Sequence, residues 1–225
     1  MGWALKIGHG GRRGLSWVAQ LSPTWDLDAF IQKAFDPGHP AKLPLDGKHI
    51  PPACSKWFVN DGDGLALDPL FWSQFKDATC SLASLPEEVQ NDVPTPEMVL
   101  KAGKGDVYES SLWLGDASSY TPLHRDPNPN LFMQLAGKKE LRLLPPEAGH
   151  ALFEAVQESL RQQGRLSAGS AAFRGEEMMT GPEADLLHEA VWHEAPGAGE
   201  LMRAYGQRVE VSAGEALFIP KHCVQ

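Results

Sequence analysis

Two strand–turn–strand units, far apart in the chain, constrain the fold more than any other feature. In the first, Leu131-Phe132-Met133-Gln134-Leu135 and Glu140-Leu141-Arg142-Leu143-Leu144 flank a turn at Gly137, and Pro145-Pro146 stops the second run. In the other, the alternating Arg208-Val209-Glu210-Val211 and the apolar Glu215-Ala216-Leu217-Phe218-Ile219-Pro220 flank Ser212-Ala213-Gly214. Residues 147–206 part the two units. Short turns combined with pairing across a long separation point to a sandwich or jelly roll and away from a parallel sheet.

The rest of the chain dresses this β core. Residues 1–105 read as a mostly helical lead-in of the same domain, and residues 106–225 as the core, with 147–206 as a helical insertion. In the lead-in, Thr24-Trp25-Asp26 caps a short helix that ends at Asp36-Pro37-Gly38. Residues 37–53 read as an extended connection, Cys54–Phe58 with Trp57 as an aromatic anchor, 69–80 as a helix with an aromatic face, and Pro86–Asn91 as a short helix. Val107–Gly115 reads as a strand. In the insertion, Leu152, Phe153, Val156 and Leu160 recur at helical spacing over Ala151–Gln163, and Asp185–Trp192 suits a second helix.

Composition narrows the function. The chain has 225 residues, 29 acidic against 20 basic, and a formal net charge of −9, which argues against general nucleic-acid binding. No apolar run reaches the length of a membrane span. Three cysteines, Cys54, Cys80 and Cys223, are an odd and scattered set, so neither a disulfide framework nor zinc spacing is indicated. An intracellular, reducing compartment, cytoplasm or nucleus, fits. Residues 1–25 carry Lys6, Arg12 and Arg13 with no acid before Asp26; a mitochondrial transit segment and a frayed terminus are both readings of that pattern. Oligomeric state is open.

The chemistry concentrates in Thr121-Pro122-Leu123-His124-Arg125-Asp126-Pro127, followed by Asn130 and Lys139. On an extended segment residues i and i+2 face the same way, so His124 and Asp126 can offer imidazole and carboxylate to one metal ion. With a second His, such a pair makes the facial triad of non-haem Fe(II). By itself His-x-Asp also fits a satisfied polar histidine and an Asp capping the turn before Pro127.

Trp113-Leu114-Gly115, the Thr121–Pro127 run, Asn130–Lys139 and Gly214–Pro220 together resemble the JmjC/cupin-like family, in its small hydroxylase-type members. Pro40–Pro44 and Trp57-Phe58 are similar to its lead-in. The resemblance implies a double-stranded β-helix and Fe(II)- and 2-oxoglutarate-dependent oxygenation, with a protein side chain as substrate. It implies that His124 and Asp126 bind Fe(II), that Lys139 pairs with the distal carboxylate of 2-oxoglutarate, that Thr121 hydrogen-bonds the same carboxylate, and that Asn130 lines that pocket. A dianionic co-substrate needs a fixed cation, which suits Lys139; a solvated lysine, like Lys138, is the alternative. Tyr108 and Trp113 either line the site or pack in the core.

The family pattern places a distal His at about position 225, where this chain has Gln225. His222 is a displaced candidate for the metal, three positions early, and an odd shift reverses the face of a strand residue. The chain as given also reads as an incomplete jelly roll, with the strand 215–220 expected to lie at an open apolar edge. Two functions therefore stay in view: an oxygenase, and a catalytically inactive domain that binds 2-oxoglutarate or a partner. A cupin using another metal would leave Thr121 and Lys139 without a purpose.

Overall fold

The computed structural model describes residues 17–45, 78–115, 120–164, 181–192 and 198–225. In chain order the elements are β1 (Ala19–Gln20), α1 (Leu27–Phe30) running into a π-helical turn (Ile31–Phe35), β2 (Ala41–Pro44), β3 (Ala78–Ser81), α2 (Glu87–Asp92), α3 (Glu97–Lys101) and β4 (Ser111–Leu114). They continue with β5 (Asn130–Gln134), β6 (Lys138–Leu143), α4 (Pro146–Gln162), α5 (Gly181–Trp192), α6 (Ala198–Tyr205), β7 (Gln207–Ser212) and β8 (Glu215–Ile219). Asp26 caps α1 as expected, accepting a 2.8 Å hydrogen bond from the Ala29 amide. The aromatic anchor at Trp57 and most of the helix expected over 69–80 lie outside the described residues; its end, from Ala78, is strand β3 paired with β4.

The two strand–turn–strand units do not close on themselves. β5 pairs antiparallel with β8, and β6 pairs antiparallel with β7. Each turn therefore carries the chain from one sheet to the other. The turns also dock on each other: the Ala213 amide donates to the Gly137 carbonyl at 3.0 Å, and the Gly214 amide to that of Gln134 at 3.0 Å. Gly137 and Gly214 both have positive φ (65° and 85°), the left-handed region that glycine enters without a steric cost.

β8 is not at an edge. It lies between β2 and β5 in a four-stranded sheet of order β1-β2-β8-β5. The strand that covers it, β2, comes from the lead-in expected to be mainly helical, from the segment Pro40–Pro44. Burial on both faces explains its unbroken apolar run. Ala216 and Phe218 face Trp25, Phe30, Leu43 and Met98, whereas Leu217 and Ile219 face Leu141 and Leu143 of β6 and Val209 and Val211 of β7. Phe218 and Phe30 meet edge to face at 5.2 Å.

Among the described residues of 146–205 there are three helices where two were expected. α4 buries Leu152, Phe153, Val156 and Leu160 against Leu187, Val191 and Met202. Arg142 ties this layer to β6, donating to the Val191 carbonyl at 2.6 Å and stacking on Trp192 at 4.6 Å. Among the described residues no helix is long and apolar enough to cross a membrane.

After β8 the chain turns at Pro220–Cys223, closed by a 3.1 Å bond from the Cys223 amide to the Pro220 carbonyl. His222, at the third position of this turn, has φ of 68°, the geometry of a type II turn, which glycine favours there. The chain then runs extended through Val224 and Gln225. Val224 exchanges two backbone hydrogen bonds with Leu144 (2.8 and 3.1 Å), and Gln225 exchanges two with His124 (3.0 and 3.1 Å). The Val224 side chain enters the helical core beside Gly149, where an added Cβ would stand 2.3 Å from Val224 Cγ2.

Two stability outcomes follow from this segment. Gly149→Ala should lower unfolding free energy by about 1–3 kcal/mol through overpacking, although alanine is the better helix former. Val224→Ala in the same chain should recover part of the loss; strictly additive losses in chemical denaturation would refute the contact. His222→Gly should raise stability by about 0.5 kcal/mol, the relief of left-handed strain less the extra chain entropy of glycine. A thermal melt that moved downward would show the His222 ring to be a net stabilising contact.

Candidate functional site

His124 is held from both sides. Its backbone pairs with Gln225, and its ring Nδ1 lies 2.9 Å from the Pro122 carbonyl. A carbonyl only accepts, so Nδ1 carries the proton and Nε2 presents its lone pair. The residue is 7% exposed, so the ring sits inside the site with one orientation.

Asp126 follows two residues later on the same face, as the spacing predicts. Its Oδ1 lies 3.6 Å from His124 Nε2. Its Oδ2 accepts a 2.7 Å hydrogen bond from Gln225 Nε2 and a longer one, 3.5 Å, from Asn130 Nδ2. The backbone carbonyl of Asp126 accepts from the His222 amide at 3.4 Å.

Gln225 closes the cluster. Directly opposed residues of an antiparallel pair project to the same side, so its pairing with His124 brings the two side chains together. Gln225 Nε2 is 2.7 Å from Asp126 Oδ2 and 3.3 Å from His124 Nε2. Both neighbours are acceptors, so the amide nitrogen faces them; the amide oxygen there would meet a carboxylate.

Asn130 reaches Asp126 from β5, and Lys139 sits on the inner face of β6. Lys139 alternates with Leu141 and Leu143 on the face of β6 turned to the core, and its Nζ lies 4.9 Å from the centre of the Phe132 ring. Lys138, one residue earlier, points the other way and is exposed beside Glu210 at 3.7 Å. The strand period thus separates the two lysines into inward and outward. Asn130 opens β5 on the same face as Phe132 and opposite Ile219. Thr121 is half-buried in the segment that leads to His124.

The structure does not bring His222 to His124 and Asp126. It sits exposed in the turn, and its left-handed φ serves that turn. The displaced candidate therefore lies in the turn, and the extended run that reaches the site starts one residue later. Among the described residues no three His, Cys, Asp or Glu side chains gather to hold a metal. Imidazole and carboxylate fit one side of an Fe(II) site; the third corner is a neutral amide, a poor Fe(II) ligand, so the set is not a complete facial triad. Tyr108 (87% exposed) and Trp113 (51%) are not core residues.

The residue that sequence reasoning undervalued is Gln225. The family pattern marks its position, whereas its reach to both His124 and Asp126 is visible only in the fold. Cys223, two residues before it, is buried beside β6 and β7, and burial pushes its thiol pKa up to about 12. Its Sγ lies 3.7 Å from the Leu144 carbonyl. It stays a neutral thiol and is no nucleophile at physiological pH.

Lysine-specific demethylase JMJ30 of Arabidopsis thaliana is 38% identical over 58 residues, covering 26% of this chain and 13% of that protein. JmjC domain-containing protein D of Dictyostelium discoideum is 31% identical over 83 residues, 32% of this chain and 18% of that protein. Lysine-specific demethylase 8 of Danio rerio is 33% identical over 67 residues, 29% and 16% respectively. The matched stretches thus span less than a fifth of these relatives' lengths. The model of the cupin-like domain matches residues 64–223, most of the chain, including the His124-x-Asp126 run and both strand–turn–strand units. The chain belongs to the cupin-like domain family, with JmjC proteins among its relatives.

Proposed function

We propose that the domain is a double-stranded β-helix of the Fe(II)- and 2-oxoglutarate-dependent oxygenase type, acting on a protein side chain. His124 and Asp126 would hold the metal. Lys139 would pair with the distal carboxylate of 2-oxoglutarate, with Thr121 as a hydrogen-bond donor to it and Asn130 lining the pocket. When bound, the metal and co-substrate would supply hydroxylation of a C–H bond by O2, with 2-oxoglutarate converted to succinate and CO2 and one oxygen atom going to each product.

The observation that carries the reading is the state of His124. Its Nδ1 proton is committed to the Pro122 carbonyl, so Nε2 is aimed, as a lone pair, to the side where Asp126 stands. That backbone partner is what fixes a metal-binding imidazole in one tautomer. The inward Lys139 adds to it. Lys139 is a cation on the core-facing side of β6, beside the Phe132 ring, and supplies the compact positive charge that a dianionic co-substrate needs. The named relatives include two lysine-specific demethylases, which supports a protein substrate.

One observation favours a second reading, binding of 2-oxoglutarate without turnover: Gln225 stands where the triad needs its third ligand.

Succinate formation separates the two. Purified protein given Fe(II), ascorbate and 2-oxoglutarate should release succinate above a His124→Ala control if the domain is an oxygenase. A yield equal to that control would overturn turnover and leave binding to be tested. On either reading Lys139→Ala should weaken 2-oxoglutarate binding about tenfold or more, the loss of a charge-assisted pair, read by calorimetry. An unchanged affinity would remove Lys139 from the site.

A further inference from the structure

The Gln225 side chain does more than occupy a ligand corner. Its amide group lies across the two groups that would bind the metal, donating to Asp126 Oδ2 at 2.7 Å and to His124 Nε2 at 3.3 Å. The two N–H bonds of one amide thereby engage the His124 Nε2 lone pair and one of the two Asp126 oxygens, groups a cation would need. Asn130 adds a further amide contact to the same carboxylate oxygen. Both groups are thus met by amide donors: His124 Nε2 by Gln225, and the half-buried carboxylate of Asp126, 30% exposed, through its Oδ2.

We propose that Gln225 is an amide lock on the His124–Asp126 pair, which competes with metal for both side chains and sets the metal affinity of this chain below that of the bare pair. This rests on the reading of His124 and Asp126 as metal-facing groups. The lock is rigid on the backbone side. Gln225 is paired through two backbone hydrogen bonds to His124, and its neighbour Val224 is wedged against Gly149. Opening the site therefore requires the side chain of Gln225 to rotate away and both donor contacts to break, while the segment stays in place. The amide oxygen that rotation would offer is a weaker donor than an imidazole or a carboxylate. The lock and a ligand role consequently differ in sign: removal of a lock tightens metal binding, and removal of a ligand loosens it.

Co(II), which does not react with oxygen as Fe(II) does, is the probe, titrated into the purified chain with its visible absorption as the readout. Gln225→Ala keeps both backbone hydrogen bonds and removes the amide. It should bind Co(II) about tenfold more tightly than the unmodified chain, the equivalent of one hydrogen bond to a charged group. Gln225→Glu has the same shape and supplies a third ligand; it should gain roughly a hundredfold or more. His124→Ala should abolish the gain in each background. Weaker binding by Gln225→Ala than by the unmodified chain would make the amide a ligand and overturn the lock, while leaving the metal reading intact. No binding by any of the variants, Gln225→Glu included, would instead overturn the metal reading of His124 and Asp126 from which the lock follows. Thermal melts without metal give an independent check. Gln225→Ala should melt lower than the unmodified chain, because the carboxylate loses its nearest donor. An unchanged melt together with unchanged Co(II) affinity would show that the amide exerts no hold on the pair.

Discussion

The structure depends on one short extended segment, Cys223–Gln225, which is pinned on both sides by backbone hydrogen bonds. Leu144, at the end of β6, holds Val224, and His124 holds Gln225. These four bonds connect the first strand–turn–strand unit, the His-x-Asp run and the end of the second unit. They also settle the alternation. Cys223 packs into the core between the sheets, Val224 into the core of the helical layer, and Gln225 reaches His124 and Asp126. A shift of one residue would drive the amide into a core and bring an apolar side chain to the site.

The same pinning explains why the helical insertion matters to a site that it does not line. α4 starts directly after β6 and presents a glycine, Gly149, at the place where Val224 arrives. Arg142 and Trp192 bind α5 to β6. The helices thus brace the outer side of the segment whose inner side faces the site. Chemistry at the site is in turn governed by acceptor and donor balance. His124 has its tautomer set by the Pro122 carbonyl, and Asp126 is met by two amides.

Much of this was legible in the residue pattern. The strands at 130–144 and 207–220, the turns at Gly137 and Gly214 and the apolar stripe of α4 all follow from periodicity and from glycine placement, which act locally. The i, i+2 spacing of His124 and Asp126 gave a shared face, and the strand period distinguishes Lys139 from Lys138. What misled was the environment of β8. An apolar run near the end of the chain reads as an open edge, yet β2, more than 170 residues earlier in the sequence, covers it. Local pattern carries no information on so distant a partner. His222 lies apart from the His124–Asp126 pair for a comparable reason: a backbone turn claims it.

The sequence by itself determined the β-rich class, the family resemblance, the imidazole–carboxylate pair and the residue type at position 225. Those depend on side-chain identity and short-range spacing. Only the tertiary structure decided which strand neighbours which, that Gln225 lies across His124 and Asp126, and that His222 stays outside. These are consequences of register between segments about a hundred residues apart, where hydrogen-bond pairing and a single close contact at Gly149 choose among faces that the local pattern leaves equivalent.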